Sequence, residues 1–181
     1  MKFVSTAISD VIVVEPEIFG DDRGFFFESW NAQRFRDAGI DLPFVQDNHS
    51  RSAKGVLRGL HYQQPNAQGK LVRVGSGAAF DVAVDLRRSS PTFGHWVGVT
   101  LSAANKRMIW MPPGFAHGFL SLDDGTDILY KCTALYAQDD EHSLRWDDPA
   151  IGIDWPLAGI EPLLSAKDRA GLPLAQAALF P

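Results

Sequence analysis

The stretch Ala79-Phe80-Asp81-Val82-Ala83-Val84-Asp85-Leu86 is the clearest guide to the fold of this chain. Every second residue from Phe80 to Leu86 is apolar, whereas Asp81 and Asp85 fall between the apolar positions. Successive side chains of a β-strand point to opposite faces, so a repeat of two residues is typical of a strand. The pattern predicts a half-buried strand with an apolar face and a carboxylate face.

Short runs of the same kind recur along the chain and are separated by clusters of Gly, Pro, Asn and Asp, which are typical of turns. Strands at this spacing predict a mainly β protein, either a sandwich, a barrel or a jelly roll. The predicted strands are Val11–Val14, Gly24–Trp30, Val56–Tyr62, Lys70–Val74, Ala79–Leu86, Trp96–Leu101, Met108–Met111 and Ile128–Tyr136.

Helix signals are few. Asn31 is a suitable N-cap for a short helix that ends at Gly39, and Ser165 for another that ends near Gly171. The segment 146–162 contains three prolines and is predicted to cover the barrel as a loop. No linker or repeat divides the chain, so we expect a single domain over residues 1–181.

Composition excludes several classes of protein. The 181 residues are 45% hydrophobic and 22% charged, and the net charge of -5 has no Lys or Arg run, which argues against a nucleic-acid partner. Cys132 is the single cysteine, so the chain has neither an internal disulfide nor a cysteine-based zinc site. No apolar stretch approaches the roughly 20 residues of a membrane span. We expect a cytoplasmic protein without a membrane association.

The first candidate for chemistry is the stretch Leu57–Gln63, which places Arg58 and His61 among apolar neighbours. One interpretation is a core histidine whose ring is satisfied by a hydrogen bond. A regular strand would place Arg58 and His61 on opposite faces. Gly59 between them favours a β-bulge that turns both side chains toward one cavity.

The second candidate is Pro112–Phe119, in which a Pro-Gly turn delivers His117 at the start of the next strand. Together, the two segments resemble the two-motif layout of the cupin superfamily, which implies a jelly-roll β-barrel. Metal-binding cupins have a histidine where Gln63 stands here. His61 and His117 fall short of the three or four ligands of a typical transition-metal site, so we expect no metal.

Further phrases resemble the dTDP-4-dehydrorhamnose 3,5-epimerase family, from about residue 3 to residue 170. The resemblance implies a homodimeric, cofactor-independent jelly-roll epimerase of dTDP-L-rhamnose biosynthesis. Its substrate would be dTDP-4-dehydro-6-deoxy-D-glucose, which is inverted at carbons 3 and 5. The phrases are Phe19–Glu28, Phe44–Ser50, Leu57–Gln63, Gly69–Arg73, Phe80–Asp85, Ser90–Gly94, Gly114–Phe119 and Leu164–Asp168.

The carbon-4 ketone of such a substrate acidifies the hydrogens on both neighbouring carbons, so the enzyme needs a base, an acid and a group that stabilises the enolate. The resemblance implies that His61 is the base, that Asp168 orients it and raises its basicity, and that Tyr130 is the acid. Ser165 and Asp168 also have the spacing of a helix capping box, so two interpretations of Asp168 are open.

The resemblance also implies a set of binding residues. Tyr136 lies six residues after Tyr130, on the same face of a regular strand, and would stack on the thymine. Arg58 is the cation least expected to be solvated, because its strand is apolar on both sides. Arg23 and the Gln46–Asn48 segment are candidates to serve the active site of a second subunit. The full set is Arg23, Glu28, Gln46, Asp47, Asn48, Arg58, Lys70, His117, Tyr136, Glu141 and Lys167.

Three alternatives remain open at the level of sequence. The chain could invert only one carbon of a related dTDP-4-keto-6-deoxy sugar, which would need the same His, Asp and Tyr. A metal-dependent cupin enzyme would need a bound transition metal. A non-catalytic sugar-nucleotide binding protein would bind without exchanging protons.

Overall fold

A computed structural model describes residues 1–181 and consists mainly of two antiparallel sheets. The first sheet has six strands in the spatial order β1 (Lys2–Ser5), β2 (Ile12–Glu15), β10 (Met108–Met111), β7 (Lys70–Ser76), β12 (Thr126–Cys132) and β5 (Gln46–Ser52). The second has five, in the order β13 (Glu141–Ser143), β6 (Leu57–Gln63), β11 (Phe115–Ser121), β8 (Ala78–Asp85) and β9 (Trp96–Ser102). A separate hairpin pairs β3 (Ile18–Asp21) with β4 (Gly24–Phe27).

The sheets pack face to face, as expected for a jelly roll, and the prediction of this fold class is confirmed. Strands distant in sequence lie side by side, as β10 does between β2 and β7. One apolar cluster fills the space between the sheets, with Val72 and Ile128 from the first sheet and Ala83 and Phe115 from the second. Burial of these side chains supplies the main apolar driving force for closing the two sheets on each other.

Two further apolar clusters cover the outer faces. Helix α1 (Ala32–Asp37) buries Phe35 against the outside of the first sheet, next to Leu71 and Met108. The segment after residue 143 covers the outside of the second sheet with Leu144 and Trp155, so the covering loop predicted over 146–162 is confirmed. No helix of the chain is long and apolar enough to cross a membrane.

The prediction of a half-buried strand over Ala79–Leu86 is wrong in one respect. Val82 and Val84 lie on the outer face beneath Trp155, whereas Ala79 and Ala83 lie on the inner face between the sheets. Asp81 is fully buried rather than solvated. The C-terminal segment covers the face opposite the interior, so both faces of the strand are enclosed.

Both helix predictions are confirmed. Asn31 caps α1, because its side-chain oxygen accepts hydrogen bonds from the backbone N–H groups of Gln33 and Arg34 at 3.0 and 3.1 Å. Ser165 caps α2 (Ala166–Arg169) in a complete capping box with Asp168. Short 3-10 turns occupy Gln138–Asp140 and Leu174–Gln176.

The bulge predicted at Gly59 is also confirmed. The pairing of β6 with β11 shifts register between His117 and Phe119, opposite Gly59. Gly59 has φ +119°, and a Cβ atom there would lie 2.5 Å from Gly118 Cα and 2.7 Å from the carbonyl oxygen of His117. Any side chain would collide with backbone that cannot rotate away, so glycine is required.

We predict that Gly59→Ala lowers the free energy of unfolding by more than about 3 kcal/mol, because it adds a backbone collision to an unfavourable φ. Gly125→Ala is the matched control. Gly125 also has positive φ, at +67°, but nothing lies within 4 Å of its added Cβ, so its cost is about 1 to 2 kcal/mol. Equilibrium denaturation of both variants measures the difference, and equal losses would contradict this account of the bulge.

Candidate active site

A cavity opens between the two sheets and contains most of the predicted site residues. Two adjoining volumes of about 200 and 240 Å³ share four lining residues, His61, Lys70, Tyr130 and Glu141, and so form one site. Seven more of the predicted residues line it: Gln46, Asn48, Arg58, His117, Tyr136, Lys167 and Asp168.

The carboxylate of Asp168 links His61 to helix α2. Its Oδ1 accepts hydrogen bonds from His61 Nε2 at 2.7 Å and from the backbone N–H of Gly59 at 3.1 Å. Its Oδ2 accepts from the Ser165 hydroxyl at 2.6 Å and from the Ser165 N–H at 3.2 Å. Both arrangements considered for Asp168 are therefore present, because one oxygen completes the capping box and the other contacts the imidazole.

The ionisation of this pair follows from its surroundings. Burial alone would raise the pKa of Asp168, but hydrogen bonds from His61, Ser165 and Gly59 hold it far below its usual range. An ionised carboxylate only accepts hydrogen bonds, so His61 Nε2 carries the proton and Nδ1 keeps its lone pair. Nδ1 makes no hydrogen bond within the chain and is available to a ligand.

The basicity of His61 differs from expectation. Burial lowers its pKa most, the hydrogen bond that His61 donates to Asp168 raises it by less, and the nearby Lys167 and Lys70 charges lower it further. The net pKa of His61 lies below its ordinary value. The imidazole is consequently neutral at pH 7, the form that can accept a proton.

Tyr130 enters the cavity from the opposite sheet. It lies on β12, whereas His61 lies on β6 of the second sheet. Tyr130 packs against the apolar cluster between the sheets, and its ring centroid is 6.4 Å from that of His117. Burial raises its pKa, so the phenol is protonated at neutral pH. The cavity thus has a proton acceptor on one wall and a proton donor on the other.

Among the cations that line the cavity, Lys70 is the buried one and Arg58 is not, contrary to the sequence expectation. Lys70 is only 8% exposed, and burial lowers its pKa. Arg58, expected to be the least solvated cation, is exposed at the cavity rim, where it donates to Ser52 Oγ at 3.1 Å and to the Arg51 carbonyl at 3.3 Å. That expectation was wrong, because the Arg58 side chain lies at the solvent-exposed rim. Arg58 and His61, on either side of the bulge, nevertheless line the same cavity, as predicted.

His117 lies directly opposite His61 in the pairing of β11 with β6. Its Nε2 contacts both oxygens of the buried Asp81, at 3.0 and 3.1 Å. Each imidazole in the cavity therefore has its own carboxylate. No group of three or more His, Cys, Asp and Glu side chains has the arrangement of a metal site.

Tyr136 reaches the cavity by a different route from the predicted one. Strand β12 ends at Cys132, so Tyr136 is not on the strand face of Tyr130, and the prediction of a strand to Tyr136 is wrong. The chain leaves the sheet at Thr133 and runs along the cavity mouth. There the Tyr136 hydroxyl donates to Glu141 Oε2 at 3.1 Å, and Lys167 donates to Glu141 Oε1 at 2.8 Å.

Three predicted residues lie outside the cavity. Asp47 points to the other side of β5 from Gln46 and Asn48 and pairs with Lys131 at 3.0 Å. Arg23, on the β3–β4 hairpin, is 90% exposed and pairs with Asp21. Glu28 accepts from Asn31 at 3.0 Å beside α1. Within this chain, Arg23 and Glu28 are not brought to the site.

Sequence reasoning missed several lining residues, among them Ser50 and Gln63. The hydroxyl of Ser50 is buried without a hydrogen-bond partner, so it is free for a ligand. Its position two residues after Asn48 on β5 is the signal that could have identified it, because alternate residues of a strand share a face.

The arrangement can move protons across a bound molecule. A neutral imidazole and a protonated phenol face the space from opposite sheets, and Lys70 Nζ lies among them, where its N–H groups can donate to an oxygen that gains negative charge. These three functions suit removal of a proton from carbon next to a carbonyl and its return from the other side.

Comparison with known proteins agrees with this geometry. Residues 5–176 match the family model described as dTDP-4-dehydrorhamnose 3,5-epimerase. Proteins of that name from Pseudomonas aeruginosa and Salmonella typhimurium are 60% and 58% identical to this chain. The matches cover 100% of this chain and 100% of the first protein, and 99% of this chain and 98% of the second.

A solved structure is similarly close. The dTDP-6-deoxy-D-glucose-3,5-epimerase of Legionella pneumophila, in complex with dTDP-4-keto-L-rhamnose, superposes with a TM-score of 0.95 at 53% identity. The superposition covers 98% of this chain and 94% of that one. The chain belongs to the dTDP-4-dehydrorhamnose 3,5-epimerase family.

Proposed function

We propose that this chain is an isomerase that inverts carbons 3 and 5 of dTDP-4-dehydro-6-deoxy-D-glucose to give dTDP-4-dehydro-L-rhamnose. One observation carries the proposal: the His61–Asp168 pair and Tyr130 line one cavity from opposite sheets. The names of the family and of its relatives supply the substrate and the product. No cofactor enters the scheme, because the carbon-4 ketone already acidifies the hydrogens to be removed.

Each inversion takes two proton transfers. His61 Nδ1 removes the hydrogen from carbon 3 or carbon 5 as a proton, and the electron pair of that C–H bond moves to the carbon-4 oxygen as an enolate. The Lys70 ammonium stabilises the enolate oxygen. Tyr130 then donates its phenolic proton to the same carbon from the opposite face. Exchange with solvent returns the imidazole to its neutral form and the phenol to its protonated form.

The cavity mouth suits the nucleotide end of the substrate. Arg58 at the rim has a guanidinium that matches diphosphate oxygens, and Lys167 adds a second charge. The half-exposed Tyr136 ring offers a surface for stacking of the thymine. A few focused cations thus allow a chain of net charge -5 to bind an anion.

The proposal includes a homodimer of single-domain subunits. Phe19, Phe25 and Phe26 of the β3–β4 hairpin are between 57% and 69% exposed, an apolar surface of the kind that marks protein contacts. Arg23 lies in the same hairpin and has a single carboxylate partner. In the dimer, Arg23 and Glu28 would contribute to the cavity of the other subunit. The lone, buried thiol of Cys132 suits a reducing cytoplasm.

His61→Asn should remove proton exchange. We expect the rate of deuterium incorporation from heavy water at carbons 3 and 5 to fall about 100-fold or more, because a general base contributes roughly that factor. His95→Asn, the same change at an exposed histidine, is the matched control. Mass spectrometry and proton NMR of the sugar give the rate and the position of the label.

The wild-type reaction separates the double epimerase from the single one. Deuterium at both carbons is expected, and label confined to one carbon would contradict the assignment of two inversions. A His61→Asn protein that exchanges within tenfold of wild type would contradict the assignment of the base.

Tyr130→Phe should separate proton removal from inversion. The first transfer needs only His61, so we expect exchange to continue while the yield of inverted product falls about 100-fold. Tyr62→Phe is the control, since the Tyr62 ring belongs to the apolar cluster outside the second sheet. The ratio of incorporated deuterium to inverted sugar is the measurement. Parallel loss of both would show that Tyr130 is not the acid of the second step.

The pH profile should follow His61. The base works when neutral, so kcat/KM is retained above the folded pKa and lost as the pH falls through it, which places the acid limb below pH 6.5. Lys167→Met removes a charge that lowers this pKa, so its limb should move to higher pH. Profiles of kcat/KM for both proteins test the direction, and an unchanged or lowered limb would refute it.

A further inference from the structure

Gln63 is buried at the end of β6, two residues after His61 and on the same face of the strand. It is 3% exposed. A buried amide is costly unless its donors and acceptor are paired, so its partners indicate what the residue is for.

The amide makes three hydrogen bonds, all to backbone. Nε2 donates to the carbonyl of Asn66 at 2.9 Å and to the carbonyl of Leu135 at 3.2 Å. Oε1 accepts from the N–H of Ala137 at 3.0 Å. Gln63 therefore holds the two residues that flank Tyr136.

A second glutamine holds Tyr136 itself. Gln46 Oε1 accepts from the Tyr136 N–H at 2.8 Å. Three consecutive residues are thus fixed through their backbone by two side chains from different sheets, Gln46 from β5 and Gln63 from β6. Tyr136 is 52% exposed, and its one side-chain hydrogen bond goes to Glu141, so the backbone clamp is the main fixed support of its position.

Gln63 also has a strand-pairing partner at the cavity mouth, on β13. It lies opposite Glu141 in the pairing of β6 with β13. Glu141 in turn accepts from the Tyr136 hydroxyl at 3.1 Å. Gln63 consequently connects β6, the strand that carries His61, to Tyr136 and Glu141 at the end of the cavity proposed to bind the nucleotide.

We propose that Gln63 is a positioning residue for nucleotide recognition, which acts through Tyr136 and Glu141 and takes no part in proton transfer. This inference rests on the proposed function. It also gives the residue at this position a structural purpose: its side chain holds residues 135 and 137 on either side of Tyr136 instead of coordinating an ion.

Gln63→Met tests the proposal, because methionine has a similar length and forms none of the three hydrogen bonds. We expect the Kd for dTDP and the KM for the dTDP-sugar to rise about tenfold, which corresponds to a loss of about 1.4 kcal/mol. The kcat for deuterium exchange at saturating substrate should stay within about twofold. Calorimetry measures Kd, and the exchange assay gives KM and kcat.

Gln64→Met is the matched control. Gln64 is the next glutamine in the chain, and its Nε2 donates to the Leu179 carbonyl at 3.0 Å, away from Tyr136. Its Kd and KM should equal those of wild type. Gln63→Glu provides a second variant in case the methionine protein does not fold. It keeps the acceptor for Ala137 but loses both donors, and the same rise in Kd and KM is expected.

The outcomes are distinguishable. Unchanged dTDP affinity in a folded Gln63 variant, or a fall in kcat with KM unchanged, would overturn the role of Gln63. Absence of exchange in wild type together with normal dTDP binding would instead overturn the proposed function. A rise in Kd and KM with kcat preserved supports both.

Discussion

The carboxylate of Asp168 is the interaction on which the rest of the site depends. Four hydrogen bonds converge on its two oxygens, from His61, Gly59 and two groups of Ser165. They join the start of α2, the bulge of β6 and the imidazole into one unit. Because the group is 3% exposed, water cannot replace a lost partner. The same carboxylate therefore stabilises the local fold and orients the candidate base.

Burial then determines which side chains of the cavity are protonated. Removal from water disfavours the charged form of any group, so the same cause lowers the pKa of His61 and raises that of Tyr130. The result is a neutral imidazole facing a neutral phenol. Asp168 remains ionised because its hydrogen bonds outweigh its burial. A proton acceptor and a proton donor are thus maintained at the same pH by one physical effect.

Short sequence patterns correctly predicted those features that neighbouring residues of the chain determine. The caps at Asn31 and Ser165 and the bulge at Gly59 depend on neighbouring backbone, and the structure contains all three. The errors arose where distant segments intervene. The carboxylate face of β8 is enclosed because the sheets pack face to face, Arg58 is exposed where the cavity opens between them, and Tyr136 leaves the strand after Cys132.

The sequence by itself determined the mainly β class, the caps, the glycine at the bulge and the family, because these follow from side-chain periodicity, steric limits and recurring motifs. Through the family resemblance it also predicted that His61, Asp168 and Tyr130 act as a set. Only the tertiary structure decided that His61 and Tyr130 face each other from different sheets, that both oxygens of Asp168 are used, and that Gln63 holds the segment around Tyr136. These features depend on sheet packing between residues far apart in the chain, where spacing in sequence carries no information about distance in space.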